Sequence, residues 1–207
     1  MRIIFNWNSL YNISSDYKDY VKFTKEQIKS LTIEAASEFN STKYVDKPID
    51  FLKGNRELFI YFNNNGRHYG AAEINEFSTD LKFDRDSLIN EGFFLSTCFH
   101  EFSHEYDYRK NLLPYVNIFL KGIHKIQREK SILSYQRCRK IYEESKKYKD
   151  LKGLILNDLF KDEIIAYKRQ LNYMETLRNR DWNSLPFDEV KLFCILKLED
   201  YKQKLIK

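Results

Sequence analysis

The chain's 207 residues are 43% hydrophobic and 31% charged, with only six Gly and three Pro, a balance that excludes a disordered chain and leaves little material for long linkers. No apolar run reaches the roughly 18 residues that a bilayer span needs. The N-terminal segment MRIIFNWNSLYNISSDYKDY lacks a signal-peptide pattern, so one domain over residues 1–207, made in the cytoplasm and without a membrane partner, is expected.

In chain order, Arg2–Asn6 is a short β-prone run. Thr24-Lys25-Glu26-Gln27 has the form of a capping box, and Ile28, Leu31, Ala35 and Phe39 follow on one face, which predicts a helix over Thr24–Asn40. Glu57–Phe62 reads as a buried strand, closed by the turn signal Asn63-Asn64-Asn65-Gly66. Tyr69–Phe77 and Leu81–Asp84 are expected to form a hairpin joined at Ser78-Thr79. A helix starting at Asp86 or Ser87 then carries Leu88, Phe94, Leu95, Cys98, Phe99 and Phe102 to about Arg109. Beyond it only helical patterns occur, over Tyr115–Lys125, Gln127–Lys149, Leu154–Asn179 and Phe187–Ile206, the last opened by Ser184 and Pro186. The expected class is α+β: a small mixed sheet and a motif helix in residues 1–110, then a helical half, 111–207.

The charge follows that division. Residues 1–110 carry 14 Lys and Arg against 17 Asp and Glu, and residues 111–207 carry 21 against 13, giving +5 overall. The Lys of the second half alternate with acids at helical spacing and read as solvated faces, so no nucleic-acid partner is expected. Cys98, Cys138 and Cys194 are scattered and odd in number, as reduced core thiols are.

Residues 100–104 read His-Glu-Phe-Ser-His, so two of the chain's four histidines fall in one HExxH pentapeptide on a predicted helix. Side chains at i and i+4 lie about 40° apart around a helix, so His100 and His104 can share one ion. Glu101, turned by about 100°, suits a general base acting on water beside that ion rather than a ligand. Zn2+ fits two imidazoles and a carboxylate, with its fourth position left to water. The third ligand must come from farther along the chain, because Asp107 and Lys110 stand where an extended HExxHxxGxxH motif would need Gly and His. Glu163 is the leading choice, on a helix whose Leu156, Leu159, Phe160, Tyr167 and Leu171 are expected to face the core and whose Ala166 permits close approach. His124, Glu129, Glu143 and Glu144 are its rivals. Asp107 shares the ligand face and reads as an acceptor orienting a ligand imidazole.

FHEFSHEYDY followed by EIIAYKRQ resembles the gluzincin metallopeptidases, in which a Glu on a later helix completes HExxH. Within them it is similar to anthrax-lethal-factor-like catalytic domains and to metallopeptidase domains of bacterial polymorphic toxins. Those share an Asp three residues after the second His, here Asp107, and Glu-x-x-Ala, here Glu163 and Ala166. The resemblance covers about residues 69–109 and 160–171. It implies a zincin-like fold, zinc-dependent hydrolysis of a protein or peptide substrate laid along an edge strand (Tyr69–Phe77 or Leu81–Asp84), and a Tyr or His on the oxyanion. For that role the sequence offers no clean match; Tyr167 is the candidate, with a core Tyr as the alternative reading of it. It further implies a toxin or effector role, export by a route other than the general secretory one, and a cognate inhibitor or immunity protein. The alternative reading is a non-catalytic metal-containing binding protein or a basic interaction module. Cys98 should point away from the metal, and His68 and Lys146–Lys149 read as exposed.

Overall fold

The computed structural model describes residues 2–7, 23–39, 44–45, 57–63, 70–74, 78–110, 112, 149–182 and 185–205. Their elements are β1 (Arg2–Phe5), α1 (Lys25–Phe39), β2 (Glu57–Asn63), β3 (Gly70–Ile74), β4 (Ser78–Asp84), a 3-10 turn (Arg85–Leu88), α2 (Glu91–Arg109), α3 (Lys149–Met174), a second 3-10 turn (Glu175–Leu177) and α4 (Phe187–Leu205). The class is α+β. The expected helices Tyr115–Lys125 and Gln127–Lys149 fall, but for Lys149, outside the described residues, as do Cys138 and His68.

The four strands form one mixed sheet in the order β1-β2-β4-β3. β1 and β2 are parallel, with Ile3 opposite Leu58, and β2 and β4 are parallel, with Leu58 opposite Thr79. β3 runs antiparallel to β4 and forms the sheet's edge. Period-2 alternation decides the buried face: Leu58, Ile60 and Phe62 of β2 and Thr79, Leu81 and Phe83 of β4 all point inward. Helix α1 starts as its capping box requires. The Thr24 amide donates to Gln27 Oε1 at 2.8 Å and the Gln27 amide to Thr24 Oγ1 at 3.2 Å. Its predicted stripe of Ile28, Leu31, Ala35 and Phe39 is buried.

Three expectations need correction. Ser78-Thr79 is not the hairpin joint but the start of β4, because Thr79, paired with Ile74 of β3, is an inward position of that strand whose hydroxyl donates to the buried Glu105 carboxylate. The motif helix begins at Glu91. Asp84 and Ser87 close their own turn, the Ser87 hydroxyl donating to the Asp84 carbonyl at 2.6 Å, and the cap proper is Asn90, whose Oδ1 accepts from the Phe93 amide at 2.7 Å. Lastly, Leu156 and Leu159 do not face the core; each is 40% exposed. The row Asp158, Asp162, Ala166 and Gln170, at i+4 spacing, takes that place.

Helix α2 is central. It packs on α1 on one side, on α3 on another and against β3, and α3 in turn packs on α4. Every residue from Gly92 to Asp107 is buried. The side toward the sheet and α1 is aromatic, with Phe99 set 4.8 Å from Phe39 and Phe83 edge-on to Phe94 at 5.3 Å; Phe99 also stacks on Tyr173 near the end of α3 at 4.2 Å. The side toward α3 is polar, and there the motif residues lie. Among the described residues no helix is long and apolar enough to cross a membrane.

Candidate metal centre

A helix buried on all sides cannot leave polar side chains unpaired without cost. Several polar groups of α2 are met by α3, among them His100, His104, Ser103 and Asp107. His100 and His104, one turn apart, turn their Nε2 atoms toward each other at 3.1 Å, with the rings nearly perpendicular at 78°. Glu163 of α3 brings Oε2 to 3.5 Å from His100 Nε2 and Oε1 to 3.8 Å from His104 Nε2. Tetrahedral zinc with bonds of about 2.0–2.1 Å needs donor atoms roughly 3.3 Å apart. The three spacings bracket that value, so these side chains fit such an ion. The rivals His124, Glu129, Glu143 and Glu144 lie outside the described residues. The cluster also has an open side: Glu163 keeps 29% of its side-chain exposure, against 10% and 11% for the two imidazoles.

The other ring nitrogens decide what the cluster can hold. His100 Nδ1 lies 3.0 Å from Gln170 Oε1, and His104 Nδ1 lies 2.6 Å from Asp162 Oδ2. Gln170 Nε2 donates to Ser96 Oγ at 3.4 Å, which orients the amide with its oxygen toward the imidazole. With acceptors at both Nδ1 atoms, each ring carries its proton there and presents a lone pair at Nε2. Two lone pairs and a carboxylate then converge on one point, an arrangement that repels itself unless a cation sits in it. In the metal-free chain a proton can serve. Burial by itself would lower the pKa of His104, but the charge and hydrogen bond of Asp162, with Glu163 and Glu101, outweigh it and push the group up to about 10.

Glu101 is 3% exposed, and its Oε2 has no hydrogen-bond partner among the described residues. Burial pushes its pKa up; the neighbouring His100 and His104 act downward, and Glu163 and Asp162 push it up again. A carboxyl raised in this way is more basic than an ordinary one, as a general base must be. Cys98, on the same helix, is fully buried, and burial raises its thiol well above the ordinary range, as an inert core group.

Asp107 does not orient a ligand imidazole; Asp162 holds that position. Asp107 Oδ1 accepts from Arg169 Nη1 at 2.8 Å, and the same nitrogen donates to Ser103 Oγ at 2.6 Å. The guanidinium lies 4.9 Å from the Tyr106 ring centre, so the pair is enclosed. Burial raises Asp107, Arg169 pulls it down and the neighbouring Asp162 raises it again, leaving it at about 7. Tyr167 is brought to the cluster, its ring 4.4 Å from that of His100 and 6.0 Å from Tyr201 of α4. Burial, then the charge of Glu163, raises its hydroxyl far above the ordinary phenol range.

Asp162, Gln170 and Arg169 were not foreseen as parts of the site. A signal existed in the i+4 recurrence of Asp158, Asp162, Ala166 and Gln170, a stripe with no leucine in it. Comparison with protein-family models, with curated proteins and with solved structures finds no match for this chain.

Proposed function

We propose that this chain is a zinc-dependent endopeptidase of the gluzincin kind, with His100, His104 and Glu163 as the metal ligands. The observation that carries the reading is the convergence of two Nε2 lone pairs and one carboxylate, with both Nδ1 atoms capped by acceptors. Zinc bound there would supply Lewis-acid polarisation of a peptide carbonyl and of water. Glu101 takes the proton of the attacking water and returns it to the leaving amine. Tyr167 stands beside His100 as the donor toward the oxyanion. β3, the sheet edge packed on α2, offers its backbone to an extended peptide, whereas β4 is interior and already paired on both sides.

A purely structural zinc site is closed by four protein ligands, whereas three converge here among the described residues, on a side that Glu163 leaves open. The test is metal analysis of the purified chain together with Glu101→Gln. One zinc per chain in both proteins, with hydrolysis of an unfolded protein substrate lost only in the variant, is the expected result. Full hydrolysis by Glu101→Gln would overturn the general-base assignment, and a chain that takes up no zinc would overturn the whole reading.

A further inference from the structure

Gly70, the first residue of the edge strand β3, faces Glu101, the acidic side chain of the motif, whose Oε2 has no hydrogen-bond partner among the described residues. A Cβ built on Gly70 would meet Glu101 Oε1 at 2.5 Å, Cδ at 2.9 Å and Cγ at 3.0 Å. All three nearest atoms belong to this single side chain. The backbone of Gly70 does not lie in the left-handed region, so its torsions suit any residue and the requirement for Gly here is one of space. In a strand, glycine is otherwise the poorer choice, since it orders at greater entropic cost and packs nothing.

We infer that Gly70 is a positioning residue for Glu101: its bare Cα lets the carboxyl lie against the sheet edge, beside the His100–His104–Glu163 cluster. The inference rests on the peptidase reading for its consequence and on packing alone for its geometry. The atoms that a side chain at position 70 would strike are the far end of a flexible Glu. Relief therefore comes from swinging Glu101 away, not from unfolding the strand. Glu101 is 3% exposed, so it has little freedom to swing without leaving its place beside the imidazoles.

The experiment is Gly70→Ala in the full chain, with Gly153→Ala as a control, because a Cβ at Gly153 meets nothing within 4 Å. Four readouts are needed: melting midpoint, zinc per chain, a crystal structure of the metal-free variant, and hydrolysis of an unfolded protein substrate. We expect an unchanged or higher melting midpoint, full zinc uptake, a displaced Glu101 carboxyl, and kcat lower on the order of 10- to 100-fold with KM little changed. Adding Gly70→Ala to Glu101→Gln should then cost little more than Glu101→Gln alone. Full activity with Glu101 unmoved would overturn the inference. If Gly70→Ala fails to fold, the same change is made in a Glu101→Ala background, where the obstacle is gone. Loss of folding there as well would make Gly70 merely structural and overturn the inference. An inactive wild-type chain would remove the peptidase reading only, and the position of Glu101 in the variant crystal would still decide this one.

Discussion

His104 Nδ1 lies 2.6 Å from Asp162 Oδ2, and the contact joins the motif helix to the residue directly before the third candidate ligand. Asp162 thus holds the imidazole while its neighbour Glu163 faces the same ring's Nε2 at 3.8 Å. One helical segment both orients a candidate ligand and supplies another. The arrangement makes His104 more basic, through Asp162 chiefly once burial is overcome, so metal and proton compete for Nε2.

A pH dependence of metal binding follows, and its sign can be worked out. His104 rises from 6.5 to about 10, so the protonated ring stabilises the metal-free fold fully below pH 6.5, and that stabilisation is lost as pH rises through about 10. Metal must displace this proton. Apparent zinc affinity should therefore climb about tenfold per pH unit between those limits, with one proton released per ion. In Asp162→Asn the climb should end near the ordinary imidazole value, and intrinsic affinity at high pH should fall roughly 10–100-fold. Competition titrations with a chelator at several pH values measure both. Identical slopes for the two proteins would sink the idea.

Arg169 and Asp107 give a stability prediction. Arg169→Met strips the buried Asp107 of its guanidinium partner and also removes the donor to Ser103. An uncompensated buried charge costs about 3–5 kcal/mol. Asp107, already at about 7 from burial offset by Arg169, should rise further in the variant. The loss should then be largest above pH 7 and shrink as the carboxyl protonates toward pH 5. Asp107→Asn placed on top of Arg169→Met should restore much of the stability. Denaturant melts of the four proteins of the cycle check this; strict additivity would refute the pairing as the cause.

The candidate metal cluster was legible in the sequence because HExxH brings two imidazoles together by helical geometry alone, and Glu163 could be ranked by its Ala166 neighbour. The partners behind the ligands were less so. Asp162 and Gln170 belong to a polar row, and a helix face is ordinarily assigned to the core by its leucines. Here α2 offers α3 a polar surface, so the leucines lose the competition and Leu156 and Leu159 turn outward. Asp107 was misread because i+3 spacing from His104 gives a shared face but not a direction, and Arg169, 62 residues away, captures it. The strand register failed for a related reason: Thr79 counts as a turn residue locally, yet its hydroxyl has a buried partner in Glu105 that only the fold supplies.

Glu101 should weaken the fold that it serves. Burial raises its pKa in the native state, so its charge is penalised by folding. For a carboxyl raised in the fold, stability is greatest below the unfolded value of 4.5 and declines as pH rises through the folded one. Glu101→Gln removes that penalty. The metal-free variant should melt higher than the wild type at pH 7 and show no advantage at pH 4. Equal melting midpoints at neutral pH would show that the buried carboxyl is not a burden.

Two helical glycines should respond in opposite directions to the same added methyl group. Gly153, in the first turns of α3, has nothing within 4 Å of a built Cβ, so Gly153→Ala only removes the entropy penalty of glycine and should add about 0.5–1 kcal/mol. Gly92, in the first turn of α2, would place its Cβ 2.2 Å from the Trp182 ring. That ring moves only at a cost, being held by its Nε1 donating to the Leu177 carbonyl at 2.9 Å and by Phe187 set edge-on at 5.2 Å. Gly92→Ala should therefore cost about 1–3 kcal/mol, as overpacking does, and shift the Trp182 fluorescence as the indole is displaced. The start of α2 also carries Asn90, whose side chain reaches the Leu185 carbonyl, so loosening Trp182 loosens the anchor of the motif helix. A Gly92→Ala protein as stable as the wild type, with unchanged indole emission, would refute this account of how α2 is fixed.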